Sequence, residues 1–346
     1  MFHVSSSHCL FVRQTGELLD RMADDFRASE PSLEKMTTRQ KALALNRWLR
    51  CNGFQGLQDP TRAYRNLRNS LLVSCLQSES HQAIPIIAAS IYSAVAQRLG
   101  LNAHPSCFPA HVTVVVQPKP GHGLDGTKAS DEEPKDRLHL DPFSHADDIP
   151  LSEFRDRAIH LGFTHGLDQA IPQFLNPSPP LYLVLRNCNN ICATVDRASG
   201  RRAEAEALGQ LSSGDAQLNL EAARYATLWA TLVIGEMSTA QRIQHLELFS
   251  ALMFQRFPED RAIAEEVFDT SFSHMRWAQN DSSIISNYER LTPHRPLVTR
   301  ESEEPANRPG SGEDIQIGQV FRHRRLNWIG VVVRLREQRM PYFGTQ

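Results

Sequence analysis

Three short stretches hold the residue types that could do chemistry: AIPII at 83–87, PAHV at 109–112 and HLDPF at 139–143. Their order along the chain is an apolar helix start, a histidine, then an aspartate. A cysteine at such a helix start would be held as a thiolate by unpaired N–H groups and the helix dipole. A histidine would take its proton, and a carboxylate would fix the histidine tautomer. That constellation carries out acyl transfer. His111 and Asp141 fit the second and third roles, and the first falls on Pro85, which has no thiol. Cys75 and Cys107 are the thiols closest in sequence to Pro85 and His111. Neither stands at the activating helix end, and both read as small buried thiols.

The elements that must position these residues follow from periodicity. Residues 84–99 are apolar on nearly every side, which predicts a central buried helix closed by Gly100. Proline suits its first turn, where the missing N–H would be unpaired anyway. HVTVVVQ (111–117) is β-branched and RLHLDPF (137–143) alternates, so two antiparallel strands are expected to carry His111 and Asp141. Between them residues 118–136 are rich in Gly, Pro and charge and read as a long mobile insertion. Upstream, residues 10–50 read as helical, Gly53 and Gly56 break the helix, and residues 60–76 resume it. Downstream, residues 181–197 and 216–281 read as helices. One stripe there runs through Leu218, Ala222, Tyr225, Trp229 and Leu232. Gly235 is a stop, and Ser238 with Gln241 forms a capping box for a helix carrying Leu246, Phe249, Met253 and Phe257.

The composition excludes several classes. The 346 residues carry a net charge of −2, with 41% apolar and 22% charged residues, so no global field draws the chain to nucleic acid or membrane. No apolar run reaches a membrane span, and MFHVSSSHCLFVRQTGELLD lacks the layout of a signal peptide. Six scattered cysteines without a C-x-x-C pair read as reduced core thiols, which suits a cytoplasmic or nuclear protein. His139, Asp141 and His145 lie close in sequence, but no spaced Cys/His pairs complete a tetrahedral site, so neither metal nor cofactor is expected.

At this level of detail the chain resembles the SirB-type transglutaminase-like proteins, and through them the F-box-only proteins that contain such a domain. The resemblance is carried by LNRWLRCNGFQG (45–56), YRNLRNSLL (64–72), AIPIIAASIYSAVAQRLGL (83–101), FPAHVTVVV (108–116) and LDPF (140–143). The family's asparagine–serine pair is matched by Asn69 and Ser70, its helix-opening proline by Pro85, its strand histidine by His111, and its Asp-Pro-Phe by Asp141, Pro142 and Phe143. Two family glycines are replaced by Ala83 and Ala110. The segment DIQIGQVFRHRRLNWIGVVV resembles the opening of the YccV-like, hemimethylated-DNA-binding domain, which follows the transglutaminase-like region in those relatives.

The resulting expectation is an α+β fold with a degenerate transglutaminase-like (papain-like) core at 40–197. A helical segment precedes it at 1–39, helical-repeat-like hairpins follow at 198–285, and a linker spans 286–313. An incomplete YccV-like β unit at 314–346 would form part of a small barrel. The function expected is that of a non-catalytic protein-interaction module related to F-box ubiquitin-ligase adaptors, with a protein partner that includes ligase components if a longer form carries an F-box. No F-box is read in residues 1–40, so the chain reads as a shortened product. Two alternatives stand beside it. One is DNA binding through the basic patch Arg322, His323, Arg324 and Arg325, against a charge-protected strand edge. The other is a residual cysteine-dependent hydrolase or transferase using Cys75 or Cys107.

Overall fold

A long helix with apolar residues on every side can be stable only if other elements enclose it, and the fold is organised around such a helix. The computed structural model describes residues 6–128, 136–207, 220–261, 263, 264, 267, 320–322 and 329–331. The chain divides into two compact units, Leu19–Arg295 and a second one made of Met1–Leu18 with Pro296–Gln346. The first unit is mostly helical with a three-stranded antiparallel sheet, an α+β arrangement.

The central helix, α5 (Pro85–Arg98), follows α1 (Ser6–Ser29), α2 (Thr38–Cys51), α3 (Pro60–Ala63) and α4 (Leu72–Gln77). Ten of the α5 residues are buried, from Pro85 through Ala96, so it has no solvent face to interrupt its core packing. Pro85 is its first helical residue. At the other end Gly100, at φ +75°, gives its N–H to Gln97 O, and Leu101 N–H reaches Ala96 O. These two bonds form a Schellman closure, which needs the left-handed residue that glycine supplies without strain. Tyr92 Oη donates to Ala42 O at 2.8 Å and ties α5 to α2 through the core.

The predicted helix over residues 10–50 is two helices. Residues 30–37 turn through a short 3-10 segment at Leu33–Lys35, and Thr37 then starts α2 with a capping box to Gln40. Residues 60–76 do not form one helix either. They break into α3, a 3-10 turn at Leu67–Ser70, and α4, because Asn66 caps the backbone at Arg68 and Leu71 is extended. Glycines end α2 as expected, with Gly53 at φ +89° and Gly56 at φ +79°.

The sheet holds three strands where two were expected. The additional one is β1 (Asn102–Pro105), pairing with β2 (Val114–Gln117), which pairs with β3 (Leu138–Leu140). The sequence NAHP of β1 has no β-branched residue and ends in proline. It is a strand because it lies at the sheet edge, where a proline is tolerated, and packs on α5. In the centre, Val114, Val115 and Val116 are all fully buried, which explains a continuous rather than alternating apolar run.

In the insertion of residues 118–136, residues 129–135 lie outside the described residues, and most of 118–128 is exposed but anchored at one point. Leu124 is 2% exposed, its carbonyl accepts Arg39 N–H, and Arg39 pairs with Asp125 at 3.0 Å. One apolar residue in a polar stretch is enough to anchor it.

After the sheet come α6 (Leu151–His160), α7 (Leu167–Phe174) and α8 (Pro180–Ala207), then α9 (Leu220–Ile234) and α10 (Thr239–Arg256). The first two were not anticipated. They are short, α7 contains Pro172, and they are held by a cluster of Phe108, Phe154, Ile171 and Leu175. In α9 and α10 most of the expected stripe residues are buried: Tyr225, Leu232, Leu246, Phe249 and Met253 form one cluster with Leu228, against which Trp229 and Phe257 pack half-buried. Ser238 and Gln241 make the expected capping box. The linker 286–313 and Leu218 lie outside the described residues. In the second unit, β4 (Val320–Arg322) pairs antiparallel with β5 (Ile329–Val331).

Gly56 is where this packing leaves no room. A Cβ there would lie 2.5 Å from Phe143 O and 2.7 Å from its ring, at a backbone angle disfavoured for other residues. Gly56→Ala is expected to destabilise by about 3 kcal/mol, combining left-handed strain with overpacking. Urea unfolding of the two proteins checks this.

Candidate functional site

The residues anticipated from the sequence come from four elements. Asn69 and Ser70 end the 3-10 turn before α4, and both are buried. Asn69 O accepts the N–H of Ile84, the N-cap of α5, and Asn69 Nδ2 donates to Ala63 O. The pair therefore fixes where α5 begins. Pro85 is buried at the first turn, and no side chain caps that turn.

His111 was expected on a strand. It lies instead in a tight turn before β2, with its N–H bonded to Pro109 O at 2.6 Å. The turn is bracketed by Ser106 and Thr113, whose backbones and hydroxyls bond to each other. Ala110 takes φ +59° in this turn. This is one of the two positions where the resembling family has glycine, and alanine holds the same backbone at a cost of about 1 to 2 kcal/mol. The other replacement, Ala83, is not in a left-handed conformation.

Asp141 follows directly on β3 and is completely buried. His111 Nε2 lies 2.9 Å from Asp141 Oδ2. This contact occupies Nε2 and leaves Nδ1 as the nitrogen available to another group. The His111 side chain is 27% exposed and meets the edge of Phe143 with ring centres 5.5 Å apart.

Two residues the sequence reading passed over complete the site. Arg157, on α6, places both guanidinium nitrogens 3.4 Å from Asp141 Oδ2 and is itself held by Glu153 at 2.6 Å. Burial alone would raise the Asp141 carboxyl. The contact and charge of His111, the charge of Arg157 and the Ser144 N–H outweigh it and hold the group below the usual carboxylate range. Asn46, on α2, donates through Nδ2 to the carbonyls of His145 and Ala146, and Arg50 donates to Pro142 O. Together they grip the turn that carries Asp141. Nothing in the sequence of α2 set Asn46 apart from a solvated polar residue. Nothing local marked Arg157.

The neighbouring cysteines are engaged elsewhere. Cys75 is 1% exposed, its thiol points to Gln82 O at 3.0 Å, and burial pushes it up to about 12. Cys107 Sγ lies 3.8 Å from Pro177 O. A small cleft of about 10 Å³, room for a single water, lies among Leu49, Phe54, Gly56, His81, Ala83 and Pro142, and neither His111 nor Asp141 lines it. Among the described residues, no three His, Cys, Asp or Glu side chains come together so as to hold a metal ion. Nor is any helix there long and apolar enough to cross a membrane. Of the basic patch, Arg322 lies in β4, while His323, Arg324 and Arg325 fall outside the described residues.

The parts of the candidate site are thus a helix start at Pro85, a histidine on the turn into the central strand and an aspartate just past the end of the next strand. Residues 13–189, just over half of the chain, match the transglutaminase-like superfamily, and the chain belongs to it. No curated protein and no solved structure matches it.

Two measurements test this geometry. Ala110→Gly relaxes the left-handed residue and should stabilise by up to about 1 kcal/mol, the strain relief being partly offset by greater unfolded-chain entropy. Chemical denaturation reads this directly. The second is acid sensitivity. Burial and the nearby Arg137 charge lower His139 to about 4 from its ordinary 6.5. The folded state therefore keeps this histidine neutral while the unfolded chain protonates it. Its contribution is complete above pH 6.5, is lost as pH falls towards 4, and amounts to about 3 kcal/mol. Asp141 adds a further loss below the ordinary carboxylate range. His139→Gln should flatten the stability profile between pH 6.5 and 4 and leave the lower arm in place.

Proposed function

We propose that this chain is a non-catalytic protein-interaction module: a transglutaminase-like domain that keeps a histidine–aspartate pair and presents proline where acyl transfer requires a thiol. The observation that carries this reading is Pro85 as the first residue of α5, where a cysteine would gain from unpaired N–H groups and the dipole. The environments of Cys75 and Cys107 support it, since a thiol raised to about 12 by burial is a poor nucleophile at neutral pH. In this reading His111 and Asp141 hold the turn and sheet end in register. The resemblance to SirB-type and F-box-only proteins, with a YccV-like segment behind, makes substrate recognition in a ubiquitin ligase the form of interaction proposed.

Purified protein is expected to show no thiol-dependent ester hydrolysis or amide transfer, with no change on Cys75→Ala or Cys107→Ala. Turnover that disappears with either substitution would identify a relocated nucleophile and end the reading. Pro85→Cys tests the geometry itself. Its thiol should react with iodoacetamide at pH 7 about tenfold faster than Cys75, because it would stand at a helix N-terminus that favours the thiolate, whereas burial raises the Cys75 thiol to about 12.

A further inference from the structure

The net charge of −2 conceals an uneven distribution. Between Asp59 and Glu79 the chain carries Arg62, Arg65 and Arg68 and no acidic residue. Between Asp168 and Asp196 it carries Arg186 and again no acidic residue. Acidic residues number 39 in 346, so stretches of this length without one are uncommon. The fold puts the two stretches side by side. Helix α8 packs on the turn at Leu67–Ser70, Leu67 shares a buried cluster with Ile191 and Val195, and Asn187 Nδ2 donates to Ser70 O at 3.0 Å. The packing that joins the segments gathers arginines from both without an anion from either.

On the surface these residues are cations, rings and apolar tips. Arg68 is exposed, and Arg65 is half-buried with its guanidinium 5.4 Å from the centre of the Tyr64 ring. Arg186 lies 5.8 Å from the centre of the Tyr182 ring, with Tyr64 nearby. Leu181, Tyr182 and Val184, on the first turns of α8, are 58%, 49% and 44% exposed. Apolar tips bordered by cations suit an anionic bilayer surface. The guanidiniums meet the headgroups, while the aliphatic side chains and tyrosine rings enter the boundary between headgroup and acyl chain. Other anionic partners fit less well. A nucleic-acid strand stacks its bases on ring faces, but a face of each tyrosine is taken by an arginine, and Leu181 and Val184 give the strand nothing. A peptide is held in a groove or along a sheet edge, and these residues are exposed tips.

We propose that the face formed by the start of α8 and residues 64–68 is a peripheral docking surface for a bilayer of anionic phospholipid. The chain rests on the headgroups through this face and does not span the membrane. Arg65, Arg68 and Arg186 supply the attraction, and Leu181, Tyr182 and Val184 supply the contact with the acyl boundary. The surface is separate from the site around Pro85, His111 and Asp141, and it would give an interaction module a place to act.

Sedimentation of the full chain with vesicles tests this. Vesicles of phosphatidylcholine with about 30% phosphatidylserine should carry the protein down at low salt and release it as salt rises. Vesicles of phosphatidylcholine alone should not. The double change Arg65→Gln and Arg68→Gln should weaken binding by about tenfold or more, each arginine near a charged bilayer being worth about fivefold. Leu181→Ser removes an apolar tip and keeps the charges, so it should weaken binding about threefold and leave the salt dependence unchanged. Arg68 and Leu181 are both exposed, so their single variants carry the test if the double variant does not fold. No sedimentation with the anionic vesicles would overturn the surface. So would undiminished binding by Arg68→Gln and Leu181→Ser, or tighter binding to a single-stranded oligonucleotide than to the vesicles.

Discussion

A fully buried carboxylate is the constraint on which the rest of this structure depends. Left uncompensated, the Asp141 charge would cost several kcal/mol and would be neutralised or expelled. Its compensation comes from separate parts of the chain: His111 from the turn before β2, Arg157 from α6, and the Ser144 N–H from the turn just beyond β3. Each contributor must itself be held. Glu153 positions Arg157, the Ser106–Thr113 pair closes the His111 loop, and Asn46 and Arg50 of α2 fix the turn at 142–146. The sheet end, α2 and α6 are thereby joined through one charge.

The second constraint is enclosure of α5. Its buried surface demands neighbours on all sides, and α2, β1 and β2 pack against it. Its start is set by the Asn69 carbonyl, and the thiol of Cys75 is bonded to Gln82 O just ahead of it. Removing either partner of the histidine–aspartate pair would strand the other, and a pair within a buried network is expensive to lose.

Superfamily membership accounts for residues 13–189, and α9 and α10 lie beyond that span. Their core of Tyr225, Leu228, Leu232, Phe249 and Met253 is their own, with Tyr225 and Phe249 stacked at 5.0 Å. Arg242 satisfies the open carbonyls at the end of α9, which lets the four residues between the helices turn tightly. The helical unit is thus closed by side-chain capping at both the turn and the Ser238 box.

The features that the sequence determined by itself are local. The bounds of α5, its proline start and Gly100 closure, the Ser238 box and the apolar stripes of α9 and α10 all follow from spacing and backbone preference within a few residues. His111 and Asp141 could be named from their order. The tertiary structure decided everything that depends on a distant partner. Asn46 reads as an ordinary polar residue until it meets carbonyls about a hundred positions away. Arg157 looks like a solvated helix charge, and β1 is a strand only because β2 and α5 lie beside it. The segment 60–76 fragments because its backbone is needed to anchor α5, and Leu124 pins one point of an otherwise exposed insertion to α2. The physical reason is common to all of them. Periodicity reports how a segment partitions between water and core, whereas hydrogen-bond and charge partners are selected by which segments the folded chain brings together.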